Sequence, residues 1–406
     1  MNRRQFLSSA AGSAAAIGLV PAIPQVLLQA CERNLGKQNG NVLVVVQLTG
    51  GNDGLNTVVP FADDAYYRNR YSLGIGKSAV RKIDDHLGFH SEMKGFADLL
   101  EAGRLNVVQG VGYPNPNRSH FEAMDLWHTA HRKREQIPVG WLGSYFEASQ
   151  SAERVDVPGI HFGEENQPLA LASHGVQVPS IRSLESFHFE FAQNAALKNS
   201  VSKIVEADAK EENDLLSFLQ ASSRSALRTS HRVEQVLGEY KSAVSYPDFP
   251  LGKKLQTVAQ LIGAGMQTSV YYVALDGFDT HANQPAAHGG LLNQLSSSVN
   301  AFVQDLEAQG NLDRVTLFSF SEFGRRVKQN ASDGTDHGAA APVFLAGGKV
   351  KPGLTGDHPS LTDLDDGDLK FKIDYREVYA TLLDKWLEVE SSRILGQEYK
   401  KLDLFV

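Results

Sequence analysis

Four short motifs of this chain combine glycine with carboxylate or imidazole side chains, and each follows an apolar run or lies in the loop just beyond one. Carboxylate oxygens and imidazole nitrogens are the usual protein ligands of zinc, manganese, magnesium and calcium ions. The candidate metal ligands are Asp53, Asp279, His281, Glu322, Asp336 and His337. Each motif alone is also compatible with a surface turn or an ion pair, so the prediction of one or two bound divalent ions rests on their common position.

Two of the motifs place a carboxylate and an imidazole close together. Asp279 and His281 stand two residues apart on an extended loop after residues 271–275, so their side chains point to one side and could share a zinc or manganese ion. In residues 333–338, His337 is the expected ligand, and Asp336 is expected either to ligate or to orient a ligand.

The other two motifs offer oxygen ligands and a cation. Asp53 follows residues 42–48 in a glycine-rich turn, where the backbone can approach an ion closely. Glu322 follows residues 315–320 and is expected to ligate, while Arg325 is expected to hold an anionic substrate through a forked pair of hydrogen bonds. The competing interpretation of this last motif is an ion pair between Glu322 and an arginine.

A nucleophile is available in residues 117–122, Asn-Arg-Ser-His-Phe-Glu. Ser119 and Glu122 have the spacing of a capping box, which predicts that Ser119 begins a helix. A serine there also lies among free N–H groups that favour phosphate or sulfate, and a metal ion could deprotonate it. We predict Ser119 as the nucleophile, with His120 and Arg118 as candidate substrate contacts.

The apolar pattern predicts a scaffold that gathers these loops. Residues 42–48 form a β-branched run, as expected for a strand buried on both faces of a parallel sheet. Strand-like and helix-like runs then alternate, which predicts an α/β fold whose mainly parallel sheet is covered by helices on both faces. Ligands of such sheets bind beyond the carboxyl ends of the strands. Further predicted elements are strands at 105–109, 269–275, 315–320 and 342–346, a helix across 251–262 and a final amphipathic helix at 375–387.

Residues 185–246 differ in composition from the rest of the chain. Ala, Ser, Glu and Lys replace the β-branched runs, and neither proline nor glycine occurs before Gly238. Because the only strong period in this segment is helical, we predict a helical insertion within an α/β domain that spans residues 41–406.

Residues 1–31 have the pattern of an export signal. Arg3 and Arg4 precede Phe6 and Leu7, and an Ala/Gly-rich apolar stretch follows, which is typical of a twin-arginine signal. The stretch is shorter and less apolar than a typical bilayer span. The sequence therefore predicts a protein that uses the twin-arginine export machinery and resides in the periplasm or on the envelope.

Cys31 is the only cysteine and directly follows Leu27-Leu28-Gln29-Ala30, which looks like a lipobox. In one interpretation Cys31 is lipidated and anchors the protein to a membrane. In the other, an ordinary signal peptidase releases a soluble periplasmic protein, and the sequence leaves both open. In either case the chain has no disulfide of its own, so a core must stabilise it.

Composition excludes one class of partner. The 406 residues are 42% hydrophobic and 21% charged, which is ordinary for a globular protein. The formal net charge is −8, and loss of the two positive charges of Arg3 and Arg4 with the signal makes it −10. Nucleic acid is not an expected partner, because binding it requires Lys and Arg to neutralise phosphates.

With the leader, the motifs at residues 48–56, 277–281, 321–325 and 335–338 resemble those of the DUF1501 family of exported bacterial proteins. That family is similar to the alkaline phosphatase and sulfatase superfamily, whose members hydrolyse phosphate or sulfate esters with metals at strand ends. The resemblance implies an alkaline phosphatase-like fold. It also implies that Asp53 is the first metal aspartate, Ser119 the nucleophile, Asp279 and His281 the ligand pair of one metal, and His337 its last histidine.

The chain departs from the superfamily pattern at one position. Glu322-Phe323 stands where an Asp-His pair is common, so a second metal would lose an imidazole ligand. Loss of a nitrogen ligand favours magnesium, manganese or calcium, which are harder ions, over a second zinc. It is also compatible with a site that binds one metal ion or that is inactive.

Two functions follow as expectations. The first is an exported metal-dependent hydrolase acting on a small anionic phosphate or sulfate ester. The alternative is a non-catalytic exported protein that keeps the sulfatase-like fold for binding or assembly, with a co-encoded envelope partner. A redox role is disfavoured because the chain has no Gly-x-Gly-x-x-Gly loop, haem motif or cysteine pair.

Overall fold

A computed structural model describes residues 40–131, 139–149, 156–163, 165–181 and 241–406. The chain divides into two units, residues 1–39 and residues 40–406. The predicted signal with Cys31 lies outside the described residues, as do residues 182–240 of the predicted insertion. The last part of that segment, residues 241–246, is described and forms a bend within irregular structure rather than a helix.

The second unit is built on a nine-stranded sheet. Its strands are β1 (Val42–Thr49), β5 (Leu105–Gly112), β6 (Gly159–Phe162), β7 (Ser180–Ile181), β8 (Val270–Asp276), β9 (Val315–Ser321), β10 (Ala341–Gly347), β11 (Gly353–Thr355) and β14 (Ile373–Asp374). The spatial order is β11-β5-β10-β9-β1-β8-β6-β7, and β14 also pairs with β5. Pairing is parallel everywhere except along both edges of β10. The prediction of a mainly parallel sheet is therefore confirmed.

Five two-residue strands form two small sheets outside this one. They are β2 (Val58–Val59), β3 (Arg81–Lys82), β4 (Gly88–Phe89), β12 (Leu364–Asp365) and β13 (Asp368–Leu369), in the orders β2-β4-β3 and β12-β13.

The helices of the described residues cover the sheet. They are α1 (Gly54–Thr57), α2 (Asp64–Asn69), α3 (Lys94–Glu101), α4 (His120–Thr129), α5 (Trp141–Ala148), α6 (Pro250–Gly263), α7 (Gln284–Ala308), α8 (Tyr375–Thr381) and α9 (Ser391–Leu395). Among these residues, no helix has both the length and the apolar character needed to cross a membrane.

Strand β1 shows why both faces of the sheet need cover. Val44 and Val46 point into one apolar core, which α3, α6 and α7 complete, whereas Leu43 and Val45 point into a second core with α4, α5 and α8. Alternate residues of a strand face opposite sides, so a continuous β-branched run is stable only between two helical layers. The prediction of helices on both faces is confirmed.

Two predicted elements differ in detail from the structure. The strand expected at 342–346 exists as β10 but runs antiparallel to its neighbours β5 and β9. The helix expected at 375–387 is α-helical only to Thr381 and continues as a π-helical turn, Leu382–Trp386, before α9. Apolar periodicity carries no information on strand direction, and it tolerates a local widening of the helix.

Candidate metal centre

The predicted site loops lie beyond the carboxyl ends of three neighbouring strands. Gly50 follows β1, Asp279 and His281 follow β8, and Glu322 follows β9. The loop from β9 to β10 folds back on itself, because Arg325 and His337 form an isolated antiparallel bridge. This hairpin-like return brings His337 to the mouth of the sheet.

One oxygen atom forms the centre of the site. Oδ1 of Asp279 lies 3.0 Å from Nε2 of His281, 3.1 Å from Nε2 of His337 and 3.5 Å from Nε2 of His120. The Nε2 atoms of His281 and His337 are 2.9 Å apart. Suitable ligand atoms of His120, Asp279 and His337 all lie within 4.8 Å of one another. The structure thus brings together three of the predicted metal ligands and adds His120, which was expected to contact substrate.

Each of the three imidazoles is fixed from behind through its Nδ1 atom. In His120, Nδ1 lies 2.8 Å from Oε1 of Glu322. In His281 it lies 3.2 Å from Oδ1 of Asp336, and in His337 it lies 2.8 Å from the carbonyl oxygen of Arg118. A carbonyl or an ionised carboxylate can only accept, so each Nδ1 carries the proton. In the neutral imidazoles the three Nε2 atoms therefore present lone pairs to one another and to Asp279.

This arrangement fits a divalent metal ion. With the protons on Nδ1, the lone pairs of two Nε2 atoms 2.9 Å apart repel each other and the carboxylate, and a cation beside all three atoms would offset that repulsion. Histidine ligands of metals characteristically donate their other N–H to a carboxylate or a carbonyl, which is the pattern seen at all three rings. A set of imidazole nitrogens and one carboxylate oxygen suits zinc or manganese.

The electrostatics keep the central carboxylate ionised. Burial tends to raise the pKa of Asp279, but the hydrogen bond from Arg325 and the contact with His337 outweigh it and lower that pKa to about 2. The hydrogen bond with Glu322 raises the pKa of His120, with burial acting in the opposite direction. A hydrogen bond from Asn330 lowers the pKa of Asp336. Asp279 and Asp336 are therefore charged near neutral pH.

Arg325 lies behind Asp279 rather than at the surface. Its side chain is buried, and Nη2 donates to Oδ1 of Asp279 (2.8 Å) and to the carbonyl oxygens of Gly50 and Phe278. Nε donates to the carbonyl of Gly51, and Nη1 donates to that of Thr335. Arg325 was expected to contact an anionic substrate. These hydrogen bonds contradict that expectation, because the protein itself engages every nitrogen of the guanidinium. Arg325 instead positions Asp279.

Gly50 is required where β1 meets the loop after β8. Its φ of +116° lies in the region that favours glycine, and a Cβ atom there would be 2.4 Å from the backbone nitrogen of Asp279. The glycine motif therefore permits close approach of two loops. The expectation from the sequence was different, namely that the backbone of this turn approaches an ion.

Asp53 is not brought to the three imidazoles. It is fully buried, and both of its oxygens accept from Arg70, at 2.5 Å for Oδ2 and 3.0 Å for Oδ1. Nε2 of Gln284 also donates to Oδ2 at 2.5 Å. Burial tends to raise the pKa of Asp53, and the charge and hydrogen bonds of Arg70 lower it to about 2. Asp53 thus forms a buried ion pair.

Glu322 lies one layer behind the imidazoles. Its carboxylate is buried, and besides His120 it accepts from the backbone nitrogen of Gly50 (2.9 Å) and from Oγ of Ser321 (3.1 Å). Asp336 has the orienting position that the sequence offered as one of its two roles, since Oδ1 faces Nδ1 of His281.

Ser119 is the N-cap of α4, and the residues on either side of it both contact residues of the site. Its neighbour Arg118 supplies the carbonyl that fixes His337, and its other neighbour is His120. The helix start at Ser119 was predicted, but the capping box does not form, because Glu122 hydrogen-bonds to Asn117 instead. The guanidinium of Arg118, which was expected to contact substrate, pairs with Asp366 and Asp368 instead.

The sequence did not indicate Arg70 or Gln284, and it did not indicate that His120 lies beside Asp279 and His337. Arg70 and Gln284 carry no motif, because their importance comes only from contact with Asp53 in the folded chain. A signal did exist for His120, since the residue after a candidate nucleophile at a helix start must lie within that site.

The comparisons with known proteins concern the fold and the family. The profile of the family described as "Protein of unknown function (DUF1501)" matches residues 41–395. No curated protein matches the chain.

Three of the solved structures that resemble this fold share little sequence with it. A protein in the alkaline phosphatase superfamily from Vibrio parahaemolyticus is 7% identical over 98% of this chain and 78% of its own, with a TM-score of 0.41. PsFucS1 sulfatase from Pseudoalteromonas sp. is 12% identical over 93% and 72%, with a TM-score of 0.38. Alkaline phosphatase from the Antarctic bacterium TAB5 is 8% identical over 76% and 92%, with a TM-score of 0.35.

Proposed function

We propose that this chain, which belongs to the DUF1501 family, is an exported metal-dependent hydrolase of phosphate or sulfate esters. The observation that carries the proposal is the convergence of three Nε2 atoms on Oδ1 of Asp279, with every Nδ1 held by an acceptor. Such preorganisation of imidazoles is expected of a metal site and has no evident structural purpose otherwise. The ester class rests on the resemblance of the motifs.

The chain's own residues divide the work. Asp279, His281 and His337, with His120, would hold the ion, while Arg325, Asp336 and Glu322 orient these ligands. A bound divalent ion would polarise the ester and stabilise the developing negative charge.

Ser119 is the proposed nucleophile. Its Oγ forms the new bond to phosphorus or sulfur as the bond to the ester oxygen breaks, and the hydroxyl proton ends on the departing alcohol. Water then releases the inorganic acid and restores the hydroxyl. The hydroxyl is available because it makes no capping hydrogen bond with α4, and the free N–H groups of that helix start favour an anionic group.

A specific observation also supports the second candidate, a non-catalytic exported protein for binding or assembly. Asp53 and Glu322, which the motif pattern would assign to metal binding, are both buried and engaged by other protein groups. A protein that had lost catalysis could retain such pairs for stability alone. A co-encoded envelope partner would then be its ligand.

Export by the twin-arginine route, with or without lipid on Cys31, is part of the proposal. Fractionation of the native cell and mass spectrometry of the mature N-terminus test it. Cytoplasmic protein with an intact residue 1–31 segment would contradict it.

The test of catalysis uses protein matured in the periplasm. Elemental analysis should find zinc or manganese, and aryl phosphates or aryl sulfates should be turned over by the wild type but not by Ser119→Ala. Absence of both metal and turnover would overturn the hydrolase. Bound metal, no turnover and a co-purifying envelope protein would favour the second candidate.

A further inference from the structure

Both carboxylate oxygens of Asp53 are engaged by side chains of the protein. Oδ2 accepts from Nη1 of Arg70 and from Nε2 of Gln284, both at 2.5 Å, and Oδ1 accepts from Nη2 of Arg70 at 3.0 Å. The two-pronged pairing matches the fork of the guanidinium to both carboxylate oxygens. A cation is therefore already bound to this carboxylate, and the chain supplies it.

Arg70 is held in that position by other parts of the chain. Nε donates to the carbonyl oxygen of Val327 at 2.7 Å, and Nη2 donates to that of Arg326 at 2.9 Å. The residue is only 1% exposed, as is expected of an arginine with its nitrogens satisfied. Moving Arg70 aside would leave two buried charges unpaired, which is strongly unfavourable.

Glu322 is the other carboxylate that a second ion would need, and it is also engaged. Oε1 accepts from the backbone nitrogen of Gly50 at 2.9 Å and faces Nδ1 of His120 at 2.8 Å, and Oε2 accepts from Ser321 at 3.1 Å. Its role is to orient His120, so it is not available as a ligand itself.

His120 has the opposite character. Its Nε2 atom is buried and makes no hydrogen bond to any described residue, yet it lies 3.5 Å from Oδ1 of Asp279. A buried polar nitrogen without a partner is costly, and each such atom calls for an explanation. Coordination of a metal ion would satisfy it.

We infer that the centre binds a single metal ion with His120 as a ligand, and that the Asp53–Arg70 pair replaces a second ion. This inference rests on the proposed function, because it concerns the same centre. It also reassigns His120 from a substrate contact to a metal ligand and removes Asp53 and Glu322 from the ligand set.

Stoichiometry is the first test. The mature wild-type protein, stripped of metal and titrated separately with Zn²⁺ and Mn²⁺ in a calorimeter, should bind one ion per chain, and elemental analysis after gel filtration should agree. Two ions per chain would overturn the one-metal inference and leave the hydrolase proposal standing. No bound ion would overturn both.

The ligand role of His120 is tested by His120→Asn. The Asn side chain can keep a donor near Glu322 but has no counterpart of Nε2. We expect affinity for Zn²⁺ to fall by at least about 100-fold, beyond the usual loss for an outer partner. The absorption spectrum of the Co²⁺-loaded protein should change as well. The matched control is His86→Asn, because His86 is exposed on a loop and should leave both measurements unchanged. Equal affinity of His120→Asn and wild type would overturn the assignment.

The role of Asp53 needs a variant that retains its shape. Asp53→Asn should keep the affinity for Zn²⁺ within about threefold of wild type, since the residue is outside the ligand set. A loss of tenfold or more in protein with a native circular dichroism spectrum would overturn the inference. If Asp53→Asn fails to fold, the wild-type stoichiometry still decides.

Discussion

Oε1 of Glu322 lies 2.8 Å from Nδ1 of His120, although 202 positions separate the two residues in the chain. Glu322 is completely buried, whereas the side chain of His120 is 30% exposed. The carboxylate thus anchors the imidazole from inside the protein and directs its Nε2 atom toward Asp279. In the proposed metal site it would be the outer carboxylate of a carboxylate–histidine–metal arrangement.

Replacing Glu322 with glutamine should therefore weaken metal binding without removing a ligand. The amide of the new side chain is neutral, so the imidazole of His120 would be less basic and less firmly oriented. We expect affinity for Zn²⁺ to fall by about 10- to 100-fold, the usual cost of losing an outer partner. Competition with a chromophoric chelator measures it. Glu101→Gln, on the exposed end of α3, is the control, and an unchanged affinity in Glu322→Gln would contradict the arrangement.

Substitution of Ser119 should separate catalysis from stability. A serine N-cap normally contributes about 1 kcal/mol, but the Ser119 side chain makes no capping bond. We expect Ser119→Ala to change the free energy of unfolding by less than about 0.5 kcal/mol, while turnover of aryl esters is lost. Urea denaturation and a steady-state assay measure the two quantities.

Asp374 provides the matched control for that experiment. It is the N-cap of α8 in a complete capping box with Glu377. Asp374→Ala should lower the free energy of unfolding by about 1 kcal/mol or more and leave metal binding unchanged. Should Ser119→Ala destabilise the protein as much as Asp374→Ala, Ser119 would be a structural cap and its hydroxyl would not be free.

Removing either partner of the Asp53–Arg70 pair should strongly lower the free energy of unfolding. Asp53→Ala or Arg70→Ala leaves an uncompensated buried charge, so each should lower the free energy of unfolding by about 3 to 5 kcal/mol. The double variant should lose much less than the two single losses together. Lys94→Ala, which breaks an exposed pair with Asp98, should cost no more than about 1 kcal/mol. Additive losses would show that the pair is uncoupled.

Much of this fold could be predicted because buried parallel strands have a local signature. The β-branched run that became β1 must be covered on both faces, whatever the rest of the chain does. The antiparallel direction of β10 could not be predicted, since direction depends on which distant strands it pairs with. The same holds for the order of strands across the sheet.

The site was predictable in position and less so in roles. Asp279, His281 and His337 follow the rule that loops beyond strand ends gather ligands. Whether a carboxylate binds a metal ion or orients another residue depends on which side chains contact it in the folded protein. Asp53 meets Gln284, which is 231 positions away. No local pattern around Asp53 encodes that contact.

A buried histidine away from the centre should make the protein sensitive to acid. His128, at the end of α4, faces Oε1 of Gln47 at 2.9 Å through Nε2, and the hydroxyl of Tyr272 lies 3.3 Å from the same nitrogen. Burial lowers the pKa of His128 from 6.5 to about 3. The unfolded chain therefore binds this proton at a higher pH than the folded chain does. The contribution of neutral His128 to the free energy of unfolding is fully present above pH 6.5 and is lost as the pH drops from there toward 3.

The slope expected from this one group is up to about 1.4 kcal/mol per pH unit below pH 6.5. His128→Gln keeps a donor near Gln47 but cannot titrate, so its free energy of unfolding should decline less steeply between pH 7 and pH 5. Urea denaturation at several pH values measures both slopes. His86→Gln, at an exposed histidine, should retain the wild-type slope. Equal slopes in wild type and His128→Gln would show that the pKa of His128 is the same in the folded and unfolded chain, which would contradict the lowering by burial.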